Sequence, residues 1–236
     1  MKKVQYFIVA LAICGAFPAL SQSSDFQSGK ISFGIFGGVN FANMHFPNSQ
    51  DPDDQETTFL TGFAGGLALD VQLSEKLFAH IEPMYLQKGC NIKEGNDPVN
   101  QPEGKIRSVA IEIPVLIQYR FGTNIRPYIV AGPSLGFNLN SDIMFELAGL
   151  EFTGDMKEVT KSFDLGISFG GGIRMPLGPA TIFFEGRYTH GLLNQRKTGS
   201  VLMSSNGLQV ELDADENDDK YFNRGIQLML GVTFPL

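Results

Sequence analysis

Nine charged residues share one side of segments that otherwise alternate apolar and small side chains. They are Asp70, Glu82, Glu112, Asp164 and Glu185, with Lys88, Arg120, Arg174 and Arg187. Period-two alternation puts residues of one parity on one face of a strand. Carboxylates gathered beside cations have two chemical uses. They can relay protons or ions, or share acid and base roles at a reacting bond. They can also close on one another as a salt-bridge network, because a buried charge needs a partner. Five acids against four bases, flanked by Gly, Ala and Ser, favour the network.

The remaining chemistry-bearing residues are sparse. There are three His, at 45, 80 and 190. A hydrolase or acyltransferase needs a nucleophile within reach of such a His, and no Ser or Asp stands in a recognisable motif with any of them. His190 shares parity with Phe184, Gly186 and Tyr188, which suits an interfacial side chain. Asp213, Asp215, Asn217 and Asp219 place oxygen ligands at alternate positions and begin like a calcium loop. The pattern then fails: Asp218 stands where the turn Gly belongs and Arg224 where the bidentate Glu belongs. These four are weak metal candidates in an acidic connection. Gly37-Gly38 and Gly170-Gly171-Gly172 precede no helix and are not phosphate loops. The two Cys exclude a disulfide scaffold and a four-thiolate zinc site. No catalytic residue, cofactor or cofactor-binding residue is expected.

The elements that must position these residues are strands. The composition is rich in Gly (27) and Phe (20), lacks Trp and is 18% charged. That suits β-structure against an apolar medium rather than a helical bundle or a disordered chain. Eight alternating stretches follow residue 28, at about 29–42, 59–73, 77–90, 106–121, 127–140, 162–177, 180–194 and 221–236. In 106–121 one face is Val109, Ile111, Ile113, Val115, Ile117, Tyr119 and Phe121. The other carries Glu112, Gln118 and Arg120. A solvated β-surface carries Thr, Lys, Glu and Arg rather than Gly and Ala. Small residues with isolated charges fit the crowded inside of a narrow barrel, and the large apolar face then meets lipid.

Connection lengths and charge agree with this. Short links (Ser74 to Lys76, Gly122 to Arg126, Gly178 to Ala180) alternate with long ones at 44–58, 91–105, 141–161 and 195–220. Outer-membrane barrels have short periplasmic turns and long extracellular loops. The four long connections hold 18 of the 25 acids and 7 of the 18 bases. A net charge of −7 makes a poor nucleic-acid binder. Lys2 and Lys3, the apolar run Val4 to Ala16, and Ala19 and Ser21 before Gln22 read as a secretory signal peptide over 1–21, leaving 22–236 as one domain. Tyr119, Phe121, Tyr128, Phe184, Tyr188, Phe222 and Phe234 are candidates for interfacial aromatic belts.

Together these marks resemble the PorT-like outer-membrane β-barrel proteins of Gram-negative bacteria. The resemblance rests on Gly-Gly-Val-Asn-Phe-Ala-Asn-Met at 37–44, Gln-Lys-Gly at 87–89, Glu-Ile-Pro at 112–114 and Pro-Tyr-Ile-Val-Ala-Gly-Pro-Ser-Leu-Gly at 127–136. Phe-Asp-Leu-Gly at 163–166, Glu-Gly-Arg-Tyr-Thr-His-Gly-Leu at 185–192 and Asn-Arg-Gly-Ile-Gln-Leu at 223–228 extend it. It implies an integral outer-membrane barrel and no single activity.

The expectation is an all-β, eight-stranded antiparallel up-and-down transmembrane β-barrel in the cell outer membrane. Its interior is plugged and its extracellular loops are acidic. Its partners are outer-membrane lipid and an extracellular or envelope protein met through the four loops, with no nucleic acid. The role is structural or loop-based binding, and not enzymatic. The alternatives are a small outer-membrane channel or a component of an envelope transport or secretion system, then a barrel lipid-modifying enzyme or a soluble lipocalin-like carrier.

Overall fold

Segments that alternate large apolar residues with Gly, Ala, Ser and single charges extend readily, because β-branched and aromatic side chains fit a pleated surface. In the computed structural model they form one antiparallel sheet. The structure describes residues 31–47, 55–94, 103–147, 150–205, 208–216 and 220–236. The expected signal peptide lies outside them. The strands are β1 (Ile31–His45), β2 (Gln55–Gln72), β3 (Leu77–Ile81), β4 (Met84–Glu94), β5 (Glu103–Arg120), β6 (Arg126–Leu147), β7 (Leu150–Asp155), β8 (Phe163–Leu177), β9 (Ala180–Gly191), β10 (Gly199–Ser205), β11 (Leu208–Ala214) and β12 (Phe222–Pro235).

The pairings close on themselves. Strand β1 pairs with β2 and β12, β2 with β3 and β4, both of these with β5, β5 with β6, β6 with β8, β8 with β9, and β9 with β12. β3 and β4 are two parts of one row. Ile81 lies opposite Val115 and Met84 opposite Glu112, so the register carries through the gap. The break falls at Glu82–Pro83, where proline has no N–H to give the ladder. The Pro83 carbonyl still accepts from Leu67 N at 3.0 Å, and Glu82 N donates to the Pro114 carbonyl at 3.2 Å.

Among the described residues, three strands lie outside this ring and correct the reading of two long connections. β6 runs on to Leu147 and turns back as β7, while β10 and β11 form a hairpin within 195–220. The period-two signal was present there. Ile143 and Phe145 alternate with Asp142 and Glu146, and Val201 and Met203 precede Val210 and Leu212. The acids among them made those stretches read as loops. β10 touches β7 at Met203–Gly154 and Ser204–Thr153, and β11 is the outermost strand.

The two faces of the ring differ sharply. Ile35, Phe63, Ile129, Phe169 and Leu230 are each more than half exposed, while Asp70, Glu82, Glu112, Arg174, Glu185 and Arg187 are at most 2% exposed. A water-soluble sheet has the reverse arrangement, since a continuous apolar belt in water drives association. Two of the short turns use glycine in the left-handed region, Gly122 (φ 73°) and Gly178 (φ 61°). No described helix is long and apolar enough to cross a membrane.

Candidate functional site

All nine charged residues singled out by parity lie inside the ring, and every one is in an ion pair. They form two groups. The first lies toward the short turns. Asp70, four residues before the Ser74 turn, accepts from Arg174 Nη1 (2.5 Å) and Arg120 Nη2 (3.0 Å). Arg187 Nη1 contacts Glu82 (2.6 Å) and Glu185 (3.3 Å), and its Nε donates to Gln227 (3.0 Å). Tyr128 donates its O–H to Glu185 at 2.9 Å. Arg120 also donates to Gln118 and lies 3.5 Å over the Phe78 ring. The second group lies toward the long connections. There Lys88 Nζ bridges Glu112 (2.7 Å) and Asp164 (3.1 Å). Ser134 donates to Glu112 (2.7 Å), while Asn223 and Gln195 donate to Asp164 (2.9 and 3.0 Å).

One member was missing from the sequence reading. His80 is fully buried, with Nδ1 2.5 Å from Asp70 and Nε2 2.9 Å from Glu82. Both ring nitrogens face carboxylates, an arrangement satisfied when both carry protons. As an imidazolium, His80 is the fifth cation against five acids, so the interior balances. The signal was legible, because His80 shares parity with Glu82 two residues on. Tyr128 is a correction: it points inward and is 3% exposed, rather than standing in an interfacial belt.

His80, Glu82 and Glu185 form the one group among the described residues that brings three metal-ligating atoms within 4.8 Å of one another. Arg187 occupies the position a cation would take between the two glutamates. A divalent ion would also add charge to an interior already balanced. The Asp70–His80 pair resembles part of a catalytic relay, but among the described residues no hydroxyl or thiol nucleophile contacts His80. Of the weak metal candidates, Asp213 is exposed on β11 opposite Ser200, and Asp215 follows the strand. Asn217 and Asp219 lie outside the described residues. His190 is half-buried on the outer face, its Nδ1 3.2 Å from the Tyr188 hydroxyl.

An apolar cluster lies beyond the second group and was not expected. Met44, Cys90, Ile106, Met156, Val159, Val201, Met203 and Tyr221 pack together at the long-connection end. They come from the ends of β1, β4 and β5, the 156–159 turn and the β10–β11 hairpin, with Tyr221 leading into β12. Cys90 is fully buried among them. Below this cap a cavity of about 20 Å³ is lined by Lys88, Glu112, Ser134, Asp164 and Asn223. That is room for a water molecule rather than a conduit.

Against known proteins, the family model described as outer membrane protein beta-barrel domain matches residues 20–195. Among curated proteins no sequence matches. Among the similar solved structures, three are each 12% identical to this chain. The match to Neisserial surface protein A covers 86% of this chain and 97% of that one, with a TM-score of 0.37. The match to Ail, the attachment invasion locus protein of Yersinia pestis, covers 88% and 100%, with a TM-score of 0.39. The match to a major outer membrane protein from Thermus thermophilus covers 85% and 98%, with a TM-score of 0.44.

Proposed function

Since the chain belongs to the outer membrane protein beta-barrel domain family and resides in the outer membrane, we propose that it is an eight-stranded transmembrane barrel closed along its axis. Its role is structural and non-catalytic, with its acidic long connections available outside the cell to an envelope or extracellular partner. The PorT-like motifs belong to this reading as its finer family assignment.

The observation that carries it is the filled interior. Each charge singled out there is held by an opposite charge, and the long-connection end is covered by an apolar cluster. Eight strands enclose little more than the volume of their own side chains. An ion entering would have to break buried pairs that cost several kcal/mol each to open. The same closure argues against an enzyme, because a substrate has no path to His80 or the carboxylates.

Planar-bilayer recording tests this. The purified protein, with its folded state checked by the band shift between unheated and boiled samples, is expected to give no discrete conductance steps in salt on the order of 1 M, where surface charges are strongly screened. Reproducible single-channel steps would replace the closed barrel with the channel reading.

A further inference from the structure

We propose that Arg224, His190 and His45 form a seat for the phosphate of an anionic lipid headgroup, on the outer face where the membrane-facing surface ends. The proposal rests on the reading of the chain as an outer-membrane barrel.

The three residues come from adjacent strands. Arg224 of β12 lies directly opposite Asn43 of β1 on one side and His190 of β9 on the other, and His45 is two residues beyond Asn43. Residues opposite one another in a ladder project to the same face. That face is the outward one, since Ile226, Leu228 and Leu230 alternate along it and are exposed. The run from Phe234 to Ile226 is nine residues, close to the ~9–11 that cross the hydrocarbon core. Arg224 is the next outward residue. Tyr188, Ile226 and Phe41 occupy the row just inside, an aromatic and apolar floor for acyl chains.

Among the described residues the cluster has no counter-charge. The outward positions paired with it are Asn43, Phe222 and Ile167, none of them acidic. No ion pair involves Arg224 among the described residues, and its buried Nε finds no hydrogen-bond partner. A buried guanidinium N–H with no acceptor is uncommon and calls for one. The His190 ring lies beside Arg224 with Nδ1 3.2 Å from the Tyr188 hydroxyl, and its Nε2 can donate when it carries a proton. Burial and the positive charges of Arg224 and His190 lower the pKa of the exposed His45, as expected where positive potential is uncompensated. A headgroup phosphate at the upper edge of the apolar belt supplies the missing acceptor and the missing charge together.

The test uses the full folded protein in phosphatidylcholine nanodiscs containing a minor fraction of phosphatidylglycerol or, separately, lipid A. Native mass spectrometry reads how much protein retains the anionic lipid. Arg224→Gln is expected to reduce retention about fivefold, the usual worth of one basic residue at an anionic surface, and adding His45→Gln and His190→Gln to lower it further. Arg107→Gln removes an exposed base elsewhere on the outer face, opposite Asp142 on β6, and is expected to change retention little. An equal loss with Arg107→Gln would mean general charge attraction and overturn the seat. So would displacement by millimolar inorganic phosphate, which would make free phosphate the occupant. Unchanged retention in Arg224→Gln would also overturn it and leave the cluster to an acidic protein segment. Heat-modified gel migration of each variant reports separately whether the barrel has formed, so a failure of the fold reading is not mistaken for a failure of the seat.

Discussion

Replacing Asp70 by asparagine keeps the side-chain volume and removes one charge from the most crowded part of the interior. Asp70 is 2% exposed and receives His80 at 2.5 Å, Arg174 at 2.5 Å and Arg120 at 3.0 Å. Removing one member of a buried pair costs about 3–5 kcal/mol, because the other charge stays buried and uncompensated. Here three cations lose the same anion, so the expected cost lies at the top of that range. The reference is Val115→Ala on the outward face, where lipid fills the space. It loses the transfer energy of two carbons, about 1.5 kcal/mol at about 0.8 per methylene. Combining Asp70→Asn with Arg120→Gln removes one stranded cation, and the pair should couple by about 1–3 kcal/mol. Urea unfolding from lipid vesicles measures this. It is followed by far-UV circular dichroism and gel band shift, since the chain has no Trp to report by fluorescence. An Asp70→Asn variant within about 1 kcal/mol of the parent, with an additive double variant, would refute the buried network as the source of interior stability.

Other expectations follow from single positions. Glu112→Ala should cost about 3 kcal/mol, the low end of the range, because Lys88 keeps Asp164 at 3.1 Å; it should still exceed Val115→Ala in the same titration, and the opposite order would invert the two faces. Gly231→Val should destabilise the barrel by about 1–3 kcal/mol or more and lower the unfolding midpoint accordingly, because a Cβ there would stand 2.5 Å from the Phe183 ring and 2.7 Å from Phe36 Cβ. An epitope inserted after Ser205 should be labelled on intact cells and one at Glu75 should not; the reverse pattern would turn the barrel over in the membrane.

Strand parity was readable without any fold, because side chains alternate across a strand whatever it pairs with. It was enough to put Asp70, Glu82, Lys88, Glu112, Arg120, Asp164, Arg174, Glu185 and Arg187 on one side, and in the fold all nine are buried. Applied one residue further, the same rule would have placed His80 beside Glu82 and Tyr128 inside. The gap at Pro83 was also visible as a residue without an N–H.

The partners were not readable. Arg174 meets Asp70 across 104 residues of chain, and Lys88 meets Asp164 across 76. Those meetings depend on the offset of every intervening strand, which period two leaves undetermined. The apolar cap needed the tertiary structure for the same reason. Met44, Cys90, Val159 and Val201 come from four separate segments, and each reads alone as an ordinary apolar residue near a strand end. Closure of the sheet brings their ends to one rim, where burying them against one another removes more apolar surface from water than any single segment can.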